Sequence, residues 1–459
     1  LGVLSVLAAT GVPARWLEKA LDGGSDDARG ALSELIESSV CQLSKDRSKV
    51  MIHGLQGRAI REAWKDEPES WGRIEEAAAG LLGAVDVTAI PVSDSAGRRR
   101  EALDLVEQLR ATAGQDHSRS LFSHPRTADA LAHALWHAAE LGDPQTALSL
   151  SGAADLLDEA LGPDHPDTLA ARNSLAHAYR SAGRLDQAID LHKRNLADCE
   201  RVLGPDHPHT LTSRNNLAHA YQSAGRLGQA IPLFERSLDD REHILGSDHP
   251  DTLTSRNNLA NAYRSAGRLD QAIDLHERSL DDREHILGPD HPHTLTSRND
   301  LAHAYQSAGR LKEAVPLFER NLAEALRILG SDHPYTLTFR NNFAFAYWSA
   351  GSLDEAVPLF EQILADRERV LGPDHPDILA SRGNLADAYW SAGRLDQAID
   401  LYEQNLAEAL RVLGPDHSHT RLFRGNLAAA YRAVGRDEDA AALLDPPSDP
   451  DDTDAETPT

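Results

Sequence analysis

The chain has 459 residues, with 46 Lys plus Arg against 72 Asp plus Glu and a formal charge of −26. Hydrophobic residues reach 41% and aromatic residues only 5%, so any core is built mainly from Ala and Leu, the best helix formers. These figures exclude a transmembrane helix, which needs about 18 apolar residues in a row, a disulfide scaffold, since Cys41 and Cys199 are the only cysteines, and a broad nucleic-acid face, which must be basic.

The chain begins at Leu1 and its only methionine is Met51. A fragment or a mis-started frame is therefore expected. Lysine is scarce beside arginine, and Ala, Gly and Asp are abundant, as in a high-GC bacterial genome. No secretion signal opens the chain, so a cytoplasmic location is expected.

Residues 1–61 differ from the rest. LGVLSVLAATGVPARWLEKAL predicts helix, break at Gly11-Val12-Pro13, helix. ARGALSELIESSVCQLS predicts a helix running into a strand, and SKVMIHGLQGRAIREAW a short strand and then a helix. This segment resembles the winged-helix subdomain that follows the nucleotide-binding core of NB-ARC-type (STAND) signalling ATPases. The resemblance implies that His53, with Leu55 after it, senses the ADP phosphate in a full-length protein. Ile52 and Gly54 depart from the family's Met-His-Asp turn, and the bland alternative is a strand-end histidine. No G-x-x-x-x-G-K-S/T loop occurs, so no cofactor is expected in this chain. ADP or ATP, and an oligomer, would belong to a protein with a nucleotide-binding domain upstream.

Residues 62–124 read as a helical linker region, broken by the polar stretch Pro91 to Gly97. Residues 125–162 read as a degenerate first repeat. The dipeptide Asp-His recurs at Asp164, Asp206, Asp248, Asp290, Asp332, Asp374 and Asp416, always 42 residues apart. Each unit predicts two helices. In one unit helix A spans about Thr210 to Ala224 and buries Leu211, Leu217, Ala218 and Tyr221. Helix B spans about Leu227 to Leu245 with Ala230, Ile231, Phe234, Leu238 and Ile244 on one side. The S/P-D-H-P punctuation offers Asp as a cap and Pro as a stop. Its histidines lie one repeat apart and cannot converge on one metal ion, so no metal is expected.

The L-A-x-x-Y and G-x-x-x-x-A pattern on paired helices resembles the tetratricopeptide repeat, in the 42-residue form of kinesin light chains. The resemblance covers residues 163–445, six full repeats and a short last one, and implies an all-α, right-handed superhelical solenoid behind a small winged-helix-like domain. It also implies that helix A lines a concave groove. One amphipathic pair cannot bury its own face, but neighbours bury it in series.

Near-identical repeats allow a comparison within the chain: scaffold positions stay fixed while ligand-reading positions vary. Four rows of helix A share one face. The first is Ala170, Thr212, Thr254, Thr296, Thr338, Ala380 and Leu422. The second holds Asn173, Asn215, Asn257, Asn299 and Asn341, then Gly383 and Gly425. The third is His177, His219, Asn261, His303, Phe345, Asp387 and Ala429. The fourth is Arg180, Gln222, Arg264, Gln306, Trp348, Trp390 and Arg432. An amide ladder can hold an extended peptide backbone by donating and accepting, and the kinesin-light-chain resemblance implies that role for the five asparagines. Arg180 and Arg264 would favour acidic side chains, and Phe345, Trp348 and Trp390 an apolar one. The structural alternative is that the asparagines bond between neighbouring helices and the tryptophans are packing.

Two rows read as structural. Arg172, Arg214, Arg256, Arg298, Arg340, Arg382 and Arg424 pair with linker or helix-B acids. His192, Phe234, His276, Phe318, Phe360 and Tyr402 form a core ring stripe. The tail, residues 446–459, is acidic and expected to be disordered. No catalytic motif appears and no enzyme is expected. The reading is a protein- or peptide-binding scaffold, the ligand-sensing regulatory half of an ATP-dependent switch. The alternative is a free-standing adaptor that assembles partners without a nucleotide switch. Neither nucleic acid nor membrane is expected as a partner.

Overall fold

The computed structural model describes the chain except residues 8–9, 23–32, 65, 92–93, 116–117, 372–375, 413, 416–417 and 445–459. The expected disorder of the tail lies outside the described residues. The chain divides into two compact units, Leu1–Ala262 and Tyr263–Thr459.

The first unit opens with a three-stranded antiparallel sheet, strands β1 (Val12–Pro13), β2 (Cys41–Leu43) and β3 (Lys49–Ile52) in the order β1-β3-β2. Helices Gly2–Val6, Ala14–Asp22 and Gly54–Trp64 accompany it. Val12 and Pro13, expected as a mere break between helices, pair with Val50 and Lys49. Proline is tolerated there because β1 is an edge strand. Helices Pro68–Gly83 and Ser95–Ala113 come next. The second starts inside the expected break, because Asp94 caps it by accepting from the Gly97 N–H at 2.8 Å.

These helices are not a loose connection. Leu82, Leu105 and Leu109 share one buried cluster with Trp16, Val50, Leu131 and Leu175. Arg15 bonds Glu101 and Asp104 at 2.5 and 2.6 Å, and the Trp16 indole donates to Glu101 at 2.7 Å. In the degenerate first repeat, helix Pro125–Glu140 is intact, but its partner is cut into Pro144–Leu148 and Ser151–Leu161.

Thereafter helix pairs succeed one another, from Pro166–Ser181 with Leu185–Val202 to Ser418–Ala433 with the short Asp437–Leu444. Helix A of a typical unit is Pro208–Ser223, and its proline sits where the missing N–H costs nothing. The cap is His207, not the expected Asp206: its Nδ1 accepts from the His209 N–H at 3.2 Å. His165, His249, His291 and His333 repeat this bond. The aspartates hold helix B instead. Asp164 takes both guanidinium nitrogens of Arg201 at 2.5 and 2.9 Å, and Asp332 does the same with Arg369.

Gly225, at φ +69°, ends helix A in the left-handed conformation, which frees the Arg226 N–H to reach the Tyr221 carbonyl at 2.9 Å. Helix B, Leu227–Leu245, buries Ala230, Ile231, Phe234 and Leu238. Ile244 is 40% exposed, against expectation. The inward place near the end of helix B goes to Arg241, which is buried and donates to Ser255 Oγ. The helix-B ring stripe His192, Phe234, His276, Phe318, Phe360 and Tyr402 is buried throughout. No helix among the described residues is long and apolar enough to cross a membrane.

The arginine row forms a girdle between repeats. The Arg214 guanidinium is 1% exposed and bridges Glu200 of the preceding helix B, at 3.0 Å, and Asp240 of its own. Arg298 bridges Glu284 and Glu324 at 2.6 and 2.5 Å in the same way. Arg172 bonds Asp158 and Asp198. All these acids lie on helix B or its degenerate counterpart.

Candidate peptide-binding face

Within the first unit the structure places Asn173, Asn215 and Asn257 half-buried on helix A. Asn173 and Asn215 are tied to the next helix A by its own asparagines. The Asn216 amide donates to Asn173 Oδ1 at 2.9 Å, and the Asn258 amide to Asn215 Oδ1 at 3.1 Å. The R-N-N core thus uses its second Asn to bond the first Asn of the preceding repeat. Asn173 and Asn215 commit their oxygens to the scaffold, which leaves their N–H groups as the means of meeting a ligand.

His177 is buried and stacks on Trp136 with ring centroids 4.0 Å apart. Its Nε2 lies 2.8 Å from Glu140, and its Nδ1 meets the Arg180 guanidinium at 2.9 Å. Burial, then Arg180, pulls its pKa down, and Glu140 opposes them. His219 meets Phe234 edge-on at 4.9 Å, and burial with Arg180 pulls its pKa to about 4. Gln222, Asn261 and Arg180 are half-buried on the same face. The Arg180 guanidinium beside His219 can meet an anionic or hydrogen-bonding group, and the Glu140 carboxylate beside His177 offsets part of that charge.

The second unit carries Arg264, Asn299, His303, Gln306, Asn341, Phe345, Trp348 and Trp390. The Asn342 amide donates to Asn299 Oδ1 at 2.8 Å, the same ladder bond, and Asn299 is itself buried. His303 meets Phe318 edge-on at 5.0 Å, and burial lowers its pKa. Gln306 Nε2 donates to Ser349 Oγ at 2.9 Å, and the Trp348 indole to Ser391 Oγ at 3.0 Å. These positions are equivalent, so one inter-repeat bond serves an amide in one place and an indole in the next. Trp348 lies 5.5 Å from Phe345, and Phe345 meets Phe360 edge-on at 5.1 Å. Trp390 is partly buried against the same cluster. Both structural alternatives therefore hold in part: asparagines do bond between helices, and the tryptophans do pack. Asn341, Phe345, Trp348 and Trp390 still keep part of their surface open.

One residue of this face escaped the sequence reading as a site. Asp387 occupies the His177 row and accepts from the Tyr402 hydroxyl of its own helix B. The pair could be found only by knowing that residues 15 apart face each other across the hairpin. His53 stands apart from all these residues. It is exposed, and its Nδ1 accepts from the Leu55 N–H at 3.3 Å, capping helix Gly54–Trp64.

The family profile described as tetratricopeptide repeat matches residues 167–243, 215–285, 251–323, 294–365, 335–407 and 388–445. No curated protein matched the chain. Among solved structures, nearly identical kinesin-light-chain TPR-like repeats from Podosopora anserina are 32% identical, with 46% of this chain and 99% of theirs covered and a TM-score of 0.42. BtubC from P. vanneervenii is 22% identical over 50% of this chain and 92% of its own, at a TM-score of 0.43. A signal transduction ATPase with numerous domains and a tetratricopeptide repeat sensor, from Pyrococcus horikoshii, is 15% identical at a TM-score of 0.43. There the alignment takes in 92% of this chain but 64% of that one. With overlapping matches from 167 to 445, more than half its length, the chain belongs to the tetratricopeptide repeat family, whose members are protein-binding scaffolds.

Proposed function

We propose that this chain binds an extended segment of a partner protein along the half-exposed face of its A helices. The observation that carries this is where the repeats differ. The arginine row is constant, and Arg214 and Arg298 hold acids at the same two offsets; the capping histidines likewise repeat one backbone bond. Variation gathers at the half-exposed positions His219, Phe345, Gln306, Trp348 and Trp390. The buried ring stripe of helix B varies only among His, Phe and Tyr, whereas these positions of helix A change in charge, polarity and size, as positions that meet a ligand are free to do.

The test is capture of partners from the host by three forms of the protein. These are the native chain, a face variant (Gln222→Ala with Trp348→Ala) and a control changed on exposed helix-B acids (Glu235→Ala with Glu319→Ala). A partner held by the native and control forms and lost by the face variant supports the reading. Equal retention by all three overturns it.

A finer reading places the chain as the sensing half of a nucleotide-driven switch. It rests on the winged-helix resemblance and on the surface at His53, where Leu55 is 73% exposed. An exposed leucine next to an accessible imidazole suits a docked domain. Binding of ADP to the native gene product, lost on His53→Ala, is its test. A product that binds no nucleotide leaves the free-standing adaptor.

A further inference from the structure

Asp387 is the one carboxylate in the four face rows of the second unit, at a place where other repeats carry His, Asn, Phe or Ala. It is half-buried, and the Tyr402 hydroxyl holds one of its oxygens. Burial raises its pKa, the Tyr402 bond opposes this, and no cation contributes. Among the described residues it has no ion-pair partner. Elsewhere in the repeats the partly buried acids are paired, as Asp366 is with Arg340 and Glu324 with Arg298. A half-desolvated carboxylate without a counter-charge is costly, and a cation supplied from outside would offset that cost.

Aromatic residues share its stripe of helix A. Trp390 lies one helical turn further on the same face of helix A. Trp348 reaches the same stripe from the preceding repeat: its indole donates to Ser391 Oγ, and that hydroxyl donates to the Asp387 carbonyl at 2.9 Å. Phe345 stands beside Trp348. A carboxylate on a stripe that also carries two partly open indoles suits an ammonium or guanidinium group, through charge and through the ring quadrupole together.

We infer that Asp387, Trp348 and Trp390 form a pocket for a Lys or Arg side chain of the bound partner segment. This rests on the peptide-binding reading and adds the chemistry that one position of the ligand must have. Tyr402 is a positioning residue, whose hydroxyl fixes one carboxylate oxygen and leaves the other for the ligand.

The probes are two pentapeptides, acetyl-Gly-Ser-Arg-Ser-Gly-amide and its citrulline counterpart, which keeps the shape and loses the charge. Binding to the whole chain is followed by the indole N–H resonances of Trp348 and Trp390, assigned through Trp348→Phe and Trp390→Phe. The arginine peptide is expected to shift both resonances and to bind at least tenfold more tightly than the citrulline peptide. Asp387→Asn, which can still accept from Tyr402, is expected to erase that ratio with an unchanged melting curve. Tyr402→Phe, which keeps the charge, is expected to retain a preference for arginine. Equal binding of the two peptides, or a ratio that persists in Asp387→Asn, would overturn the pocket and leave the peptide-binding face standing. Resonances unmoved by either peptide at millimolar concentration would also overturn the pocket, while the capture experiment decides the face on its own.

Discussion

The side-chain amide of Asn216 donates to Oδ1 of Asn173, one repeat earlier, at 2.9 Å. The bond sits on the face proposed to meet the ligand, so the same asparagine row serves scaffold and recognition. Replacing Asn215 and Asn299 together with Ala removes two such bonds, those from Asn258 and Asn342. A loss of about 1 kcal/mol per bond is expected. Urea unfolding of the double variant checks this; an unchanged midpoint would show that the ladder contributes nothing to the fold.

The Arg214 girdle carries more. Its guanidinium is buried between Glu200 and Asp240. Arg214→Ala leaves two acids facing a gap and is expected to cost about 3–5 kcal/mol, as for one partner removed from a buried ion pair. The exposed pair Arg226–Asp186 is the control, and Arg226→Ala is expected to cost less than about 1 kcal/mol. Denaturant midpoints of the two variants that coincide would refute this ranking.

Two histidines predict an acid response. Burial, then the positive field of Arg264, Arg283 and His303, pulls His276 from its ordinary 6.5 to about 4. Burial with Arg180, His177 and His219 takes His192 to about 3. The unfolded chain protonates both near 6.5, so it binds more protons than the folded one below that pH. Their contribution is complete above pH 6.5 and is lost as pH falls through about 4. Phe318 fills the equivalent site, so His276→Phe fits sterically. The variant is expected to gain stability over the native chain as pH drops from about 7 to about 4.5. A difference that stays flat across that range would show that His276 titrates as it does in the unfolded chain.

The histidine caps are open to a simple exchange. His207→Ala is expected to cost about 1 kcal/mol, and His207→Asn to restore most of it, since Asn also offers an acceptor to the first-turn N–H groups. If the Asn variant were no better than Ala, the imidazole would be held for some reason other than capping.

Much of this architecture was legible in the sequence because a fixed period needs no outside reference. The helix pairs, the arginine row and the ring stripe all came from counting. What escaped depended on geometry that counting does not contain. Asp206 and His207 are both reasonable caps, and only the position of Pro208 decides that His207 is the residue before the helix. Ile244 fits the helical spacing of helix B, but Arg241 takes the inward place because Ser255 of the next helix offers it an acceptor. The two residues of β1 are too few to show alternation. On the candidate face, the row of asparagines was visible, but the donors Asn216 and Asn258 were not, because they face a helix whose register no single repeat reveals.

Arg214 draws one acid from 14 residues before it and one from 26 after, and Arg298 does the same. Arg256 and Arg382 keep the acid 14 before them, whereas Leu326 stands there before Arg340, which among the described residues holds Asp366 alone. From Arg214 to Arg298 each joint therefore spans the boundary between one repeat and the next at shared offsets. Cutting a whole period out of the gene between Arg214 and Arg298 joins a donor to an acid that already has the right position. A cut one codon longer joins nothing. Length in this chain is therefore a copy number, which recombination between like stretches of DNA can raise or lower by single steps, and each step adds or removes one reading position for a partner without redesign of the joints.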